Sequence, residues 1–166
     1  MLSKFFIIGG TVMLKKKHII NIIVTIVLLI PLVALYLFVT QNTRLLNNMV
    51  NEMKSLIADY EKIELVETKS VYGKLNGNGN GIDFFGAALI RSDSEEAINE
   101  LVSNLQEKYE TVEYSPQNGN AVVSKYLEHR KLSFNHSFDS SDKSKYYTVY
   151  FFTHHKNANY MDPWGH

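Results

Sequence analysis

The chain has 166 residues, with 17 lysines and arginines set against 17 aspartates and glutamates, and no cysteine. Disulfides, thiol catalysis and cysteine metal sites are therefore excluded, and the neutral balance gives no electrostatic reason to expect nucleic acid as a partner. The length suits one domain of ordinary size with something appended to it, and is too short for two such domains plus an anchor.

Residues 1–18 form a basic amino terminus, with Lys4 followed by Lys15, Lys16, Lys17 and His18. Phe5 to Ile8 is too short to span a membrane, and Met13 followed by Leu-Lys-Lys-Lys-His is an ordinary signal-anchor beginning, so Met13 is the expected start codon. Ile19 to Val39 is a run of 21 residues without a charged side chain. Its six Ile, five Leu, four Val and one Phe favour insertion into a bilayer by about 5 to 10 kcal/mol. Asn21, Thr25 and Pro31 reduce that sum without overturning it. The run exceeds a typical leader core and no small-x-small cleavage pair follows it, so an uncut transmembrane helix over 19–39 is expected. The lysines lie before the span, against Arg44 and Lys54 shortly after it. The positive-inside rule then places the amino terminus in the cytoplasm and the rest outside, in a single-pass plasma-membrane topology.

Beyond Val39, 13 basic residues face 17 acidic ones, a balance of −4. Residues 40–63 read as a helical stalk continuing the span. Leu46, Met49, Met53, Leu56, Tyr60 and Ile63 are spaced as the apolar seam of a heptad repeat. Two uses of the seam compete: a weak homodimer through those six residues, or a helix laid against the chain's own domain. That domain is expected over 64–156, with 157–166 as a tail.

Glu64 to Leu75 and Ile82 to Ser92 read as strands joined by Asn76-Gly77-Asn78-Gly79-Asn80-Gly81, a strong hairpin signal. The second strand is apolar on both faces and should be central. Ser92 and Glu95 have capping-box spacing, and Ala97, Ile98, Leu101, Val102, Leu105 and Tyr109 form the stripe of an amphipathic helix. Strands are expected at Thr111 to Tyr114 and Ala121 to Leu127. Alternation at Leu132, Phe134, His136 and Phe138 suggests another, hairpinned to a final strand from Tyr146 to His154. The fold class is α+β: an antiparallel sheet of four or five strands packed against one helix.

Sites are few. The Gly-x-Gly run leads into a strand and not a helix, which argues against a phosphate cradle. It also matches most of one Gly-Gly-x-Gly-x-Asp calcium repeat, of which a working site needs several. His129, His136, His154 and His155, with Asp139, Asp142 or Asp162, are the metal candidates, but consecutive His154 and His155 point to opposite faces of a strand. No metal or other cofactor is expected, and no hydrolase motif is present. The outward-facing aromatics Tyr146, Tyr150 and Trp164 are the expected binding surface, if one exists.

Lys74-Leu75-Asn76-Gly77-Asn78-Gly79-Asn80-Gly81 followed by Phe84-Phe85-Gly86-Ala87-Ala88-Leu89-Ile90 resembles a segment of uncharacterised small membrane-anchored proteins of low-GC Gram-positive bacteria. The resemblance covers mainly residues 60 to 110 and implies a bacterial envelope protein. No activity attaches to that group, so it implies no catalytic or binding residues. The expected function is a membrane-anchored, extracytoplasmic binding protein meeting another envelope protein. Its rivals are a membrane-bound immunity or exclusion factor against a toxin or phage, an envelope hydrolase built on a His-carboxylate set, and the same module facing the cytoplasm.

Overall fold

The computed structural model describes residues 3–75, 81–128, 130–138 and 145–162, and of residues 3–17 the helical backbone alone. The chain divides into two units, Met1–Val39 and Thr40–His166. The first is one helix, α1, over Ser3–Val39. Within it His18–Val39 is long and apolar enough to be a membrane anchor or a signal sequence, and that stretch is unburied. Its apolar side chains from Ile19 to Phe38 are exposed. The Thr25 hydroxyl donates to the Asn21 carbonyl at 2.8 Å, so one polar group of the span is satisfied within its own helix.

The second unit is the α+β domain. It opens with α2 (Gln41–Ala58), with Thr40 alone between it and the last residue of α1. There follow β1 (Glu64–Gly73), β2 (Asp83–Arg91), α3 (Glu95–Gln106), β3 (Thr111–Pro116) and β4 (Tyr146–His154). The four strands form one antiparallel sheet in the order β1-β2-β4-β3. β2 is central and buried along eight of its nine residues, as its two-faced apolar sequence requires. The turn residues 76–80 lie outside the described residues, but β1 and β2 do pair antiparallel from Gly73↔Asp83 to Glu64↔Arg91.

Alternation along β2 divides the core in two. Phe84, Ala88 and Ile90, with Val149 and Phe151 of β4, face α2 and α3. Gly86 belongs to this face, where an added Cβ would fall 2.4 Å from Cε1 of Phe151. The ring therefore lies across the glycine, and on its other side stacks on Tyr109 at 4.3 Å between centroids. The Tyr109 hydroxyl donates to the Met49 carbonyl at 3.0 Å, tying this stack to α2.

Here the expected single covering helix is corrected to two, because the stalk belongs to the domain. Asn42, Leu46, Met49, Val50, Met53 and Ile57 are the buried stripe of α2. Leu46 and Ile57 lie 11 positions apart, about three turns of a straight helix, which is why the stripe runs to Ile57 and leaves Leu56 and Tyr60 only partly buried. Leu46, Met49, Met53 and Ile63 are covered by the chain's own domain.

The opposite face carries Phe85, Ala87, Leu89, Tyr150 and Phe152, and is covered by the long segment between β3 and β4. The strands expected at 121–127 and 132–138 are not formed: a lone bridge joins Ala121 and Ser133. β4 already pairs with β2 on one edge and β3 on the other, so no edge remains for a hairpin with 132–138. The alternation still has a use, since Phe134 is buried and Leu132 and Phe138 pack beside it.

Candidate functional site

At the carboxy-terminal end of α2 the chain turns through Asp59 to Lys62 by short-range bonds, Tyr60 N–H to the Ile57 carbonyl and Ile63 N–H to the Tyr60 carbonyl, each 3.1 Å. This turn stands opposite the first turns of α3. That helix is capped by Ser94, whose Oγ accepts from Ala97 N–H at 3.3 Å. The expected cap, Ser92, instead accepts from Ser94 N–H at 3.1 Å and donates to the Lys62 carbonyl at 2.8 Å, pinning the two turns together.

Between them lies a cleft of about 570 Å³. Leu56, Tyr60 and Ala97 supply its apolar surface, and Asp59, Glu61, Glu96 and Glu100 surround it, with Lys62 as the basic counterpart. Asn104 Nδ2 donates to the Tyr60 hydroxyl oxygen at 2.5 Å, fixing the ring at the wall. Burial, assisted by the charge of Glu100, pushes the Tyr60 phenol up, so it remains a neutral hydrogen-bonding group. A smaller hollow adjoins it, sharing Glu61 and Lys62 and lined also by Glu64, Arg91 and Asp93. Arg91 is engaged with Glu64. The arrangement suits a ligand with an apolar body and positive charge.

The opposite end of the sheet holds two further polar clusters. Asp83, 3 % exposed, starts β2 directly across from His154 at the end of β4, with Oδ1 and Nδ1 2.6 Å apart. This is the carboxylate–imidazole contact that a hydrolase reading requires, but it lies at the other end of β2 from the cleft. His155 turns away, edge-on to Phe84 at 6.2 Å, as alternation demands. Nearby, Asn42 in the first turn of α2 donates to the Asn159 carbonyl at 2.9 Å and to Asp162 Oδ2 at 3.0 Å. Its own carbonyl accepts from Asn159 N–H at 2.7 Å. Asn159 and Asp162, in the described part of the expected tail, are thus held by a buried amide.

Of the expected aromatic surface, Tyr146 and Tyr150 are among the described residues. Tyr150 is buried, stacked on Phe85 at 5.2 Å, and its hydroxyl donates to Glu113 Oε2. Burial and that carboxylate push its phenol up to about 12. Tyr146 is half-buried beside His136 and Phe138, at 5.0 and 5.3 Å. Trp164 lies outside the described residues, as do His129, Asp139 and Asp142. Among the described residues no group of three or more His, Asp and Glu is placed to hold a metal ion. The cleft escaped sequence reading because its walls come from two turns remote in the chain; the excess of acid over base after Val39 was its one trace.

Comparison with protein families, with curated proteins and with solved structures gives no match.

Proposed function

We propose that this chain is a single-pass, membrane-anchored binding protein of a bacterial envelope, its amino terminus cytoplasmic and its α+β domain outside. The observation that carries the reading is that α1 leaves its apolar span from His18 to Val39 unburied, while the core of residues 40–162 is closed by its own elements. An apolar helix that the fold does not consume needs another apolar phase, and a bilayer supplies it. Tethering then raises the local concentration of the domain near an envelope partner without adding any contact. The acidic cleft between α2 and α3 is the surface that receives that partner, through a segment rich in lysine or arginine with an apolar anchor for Leu56 and Ala97.

Protease treatment of intact cells bearing a carboxy-terminal tag tests the placement. The tag should be removed from outside, with the uncut chain in the membrane fraction. A tag spared until lysis reverses the orientation, and a shortened, soluble chain makes α1 a signal sequence. For the cleft, the full chain in detergent should bind an oligolysine peptide in a salt-sensitive way, and Glu96→Gln with Glu100→Gln should weaken capture. Capture unchanged by that pair removes the cleft from the proposal.

A further inference from the structure

Residues 159–162 make a tight turn with buried ends and an apolar tip. Asn159 Oδ1 accepts from Met161 N–H at 3.0 Å and the Asn159 carbonyl accepts from Asp162 N–H at 3.2 Å, while Asn159 and Asp162 are themselves buried. Between them Tyr160 is 55 % and Met161 77 % exposed. Isolated exposed apolar residues are ordinary on any surface. These two are not isolated: among the described residues of 40–162 the large apolar side chains left exposed are Val123, Tyr160 and Met161, and the last two are consecutive.

Their place in the chain gives the tip a use. Asn42 bonds Asn159 and Asp162, and Gln41 Nε2 donates to the Asn157 carbonyl at 2.6 Å. Gln41 and Asn42 follow Val39, the last residue of the apolar span, by two and three residues, so backbone lengths alone keep them within about 11 Å of its end. The turn is therefore held next to the point where the chain leaves the span. Lys74, just past the end of β1, and Lys156, just past the end of β4, lie at this same end of the sheet and are exposed. Asp83 and Asp162 here are buried, which leaves Glu110, bonded to the His154 amide, as the exposed carboxylate beside them among the described residues.

We infer that the Tyr160–Met161 turn is a second membrane contact, its tip entering the lipid interface beside the anchor while Lys74 and Lys156 meet headgroup phosphates. The phenol of a tyrosine suits the headgroup level and the unbranched thioether of a methionine suits the upper acyl chains. Lysines near an anionic surface add attraction that falls off within a Debye length. Because Asn42 holds the turn in shape before lipid is met, little ordering remains to be done on contact. The acidic cleft sits at the other end of α2, whose 18 residues measure about 27 Å. Seating this end on lipid keeps the cleft clear of the anionic surface and open to a basic partner. The inference rests on the membrane anchor of the proposed function, and is indifferent to which side of the membrane the domain occupies.

The test places the full chain, with isotope-labelled methionine methyl groups, in phosphatidylglycerol nanodiscs with and without a lipid carrying a nitroxide high on its acyl chain. The Met161 methyl signal should be lost to paramagnetic broadening, while that of Met53, buried in the core, is retained. Tyr160→Ser keeps the reporter and should restore its signal. Lys74→Gln with Lys156→Gln should reduce the broadening, as should replacing phosphatidylglycerol by phosphatidylcholine. A sharp Met161 signal in a chain that elutes with the disc overturns the second contact and leaves the anchor standing. Broadening unchanged in both variants shows that tethering alone brings the methyl there, and overturns the contact equally. A chain that elutes apart from the disc overturns the anchor and this inference with it.

Discussion

On one face of the sheet Phe84, Ala88, Ile90, Val149 and Phe151 meet two amphipathic helices, whereas on the other Phe85, Ala87, Leu89, Tyr150 and Phe152 meet a segment whose regular pairing is one bridge. Both faces are dry, but they solve the backbone's hydrogen bonding differently. α2 and α3 satisfy their own amides and need help only at their ends. The segment over 117–138 borrows side chains: Gln117 donates to the Ala121 carbonyl at 2.9 Å and Asn120 to the Phe134 carbonyl at 3.2 Å. Glu67 Oε2 accepts from the amides of Asn135 and His136 at 2.7 and 3.0 Å. Irregular chain can thus close a core when polar side chains replace a ladder, at the cost of depending on each of them.

The largest test of that contrast is a pair of truncations. Phe151→Ala removes a ring held between Gly86 and Tyr109 and should cost about 4 kcal/mol in denaturant unfolding, with the whole domain unfolding together. Phe134→Ala, equally buried but under the irregular layer, should cost roughly 3 kcal/mol, and exchange should show 120–135 opening while β2 and β4 remain protected. Equal losses with equal global exchange would mean the layer is as integral as the helices.

Next comes Asn42→Ala, at the join of α2 with the carboxy-terminal segment. It deletes three hydrogen bonds at a buried junction with Asn159 and Asp162, so about 2 to 3 kcal/mol is expected. Exchange at residues 157–162 should rise; a loss below about 0.5 kcal/mol would show that water replaces the amide readily.

How far the sequence led follows the same division. The β1–β2 pairing, the central place of β2 and the apolar stripe of α3 were legible because each is written in neighbouring residues. Leu46, Met49 and Met53 were legible as a buried seam, but what covers them is remote strand, and nothing local separates a sheet from a second helix. Phe134 and Leu132 betrayed their inward face by alternation, yet alternation says nothing about whether a free strand edge exists to pair with. Tyr150 was misplaced as a surface for a similar reason: both faces of β4 are covered, so no parity on that strand is outward. The cleft and the Asp83–His154 contact each join residues distant in the chain and left no local pattern.

The layer's dependence on Glu67 gives a smaller effect with a pH signature. Burial pushes this carboxyl up, but Lys69 at 2.9 Å and the two amides outweigh it, and the net value lies below the usual 4.5. A depressed native value means that the unfolded chain binds the proton more readily, so the contribution is present above about pH 4.5 and is lost as pH falls below it. Glu67→Gln should cost about 1 kcal/mol at pH 7 and reduce the acid sensitivity of exchange at Asn135 and His136. Unaltered acid sensitivity in the variant would assign it to Glu113, also held below the usual range by Tyr150 and Lys125.

The smallest effect separates two serines on the helical side. Ser94→Ala removes the acceptor for Ala97 N–H and should cost about 1 kcal/mol, with exchange rising at Ala97 in the first turn of α3. Ser92→Ala removes no helix cap; it cuts the bond to the Lys62 carbonyl and the acceptor for Ser94 N–H, so exchange should rise at Ser94 and leave Ala97 unchanged. The reverse pattern would restore Ser92 and Glu95 as the capping pair. It would also shift the wall of the cleft, because Glu96, Ala97 and Glu100 take their positions from where α3 begins.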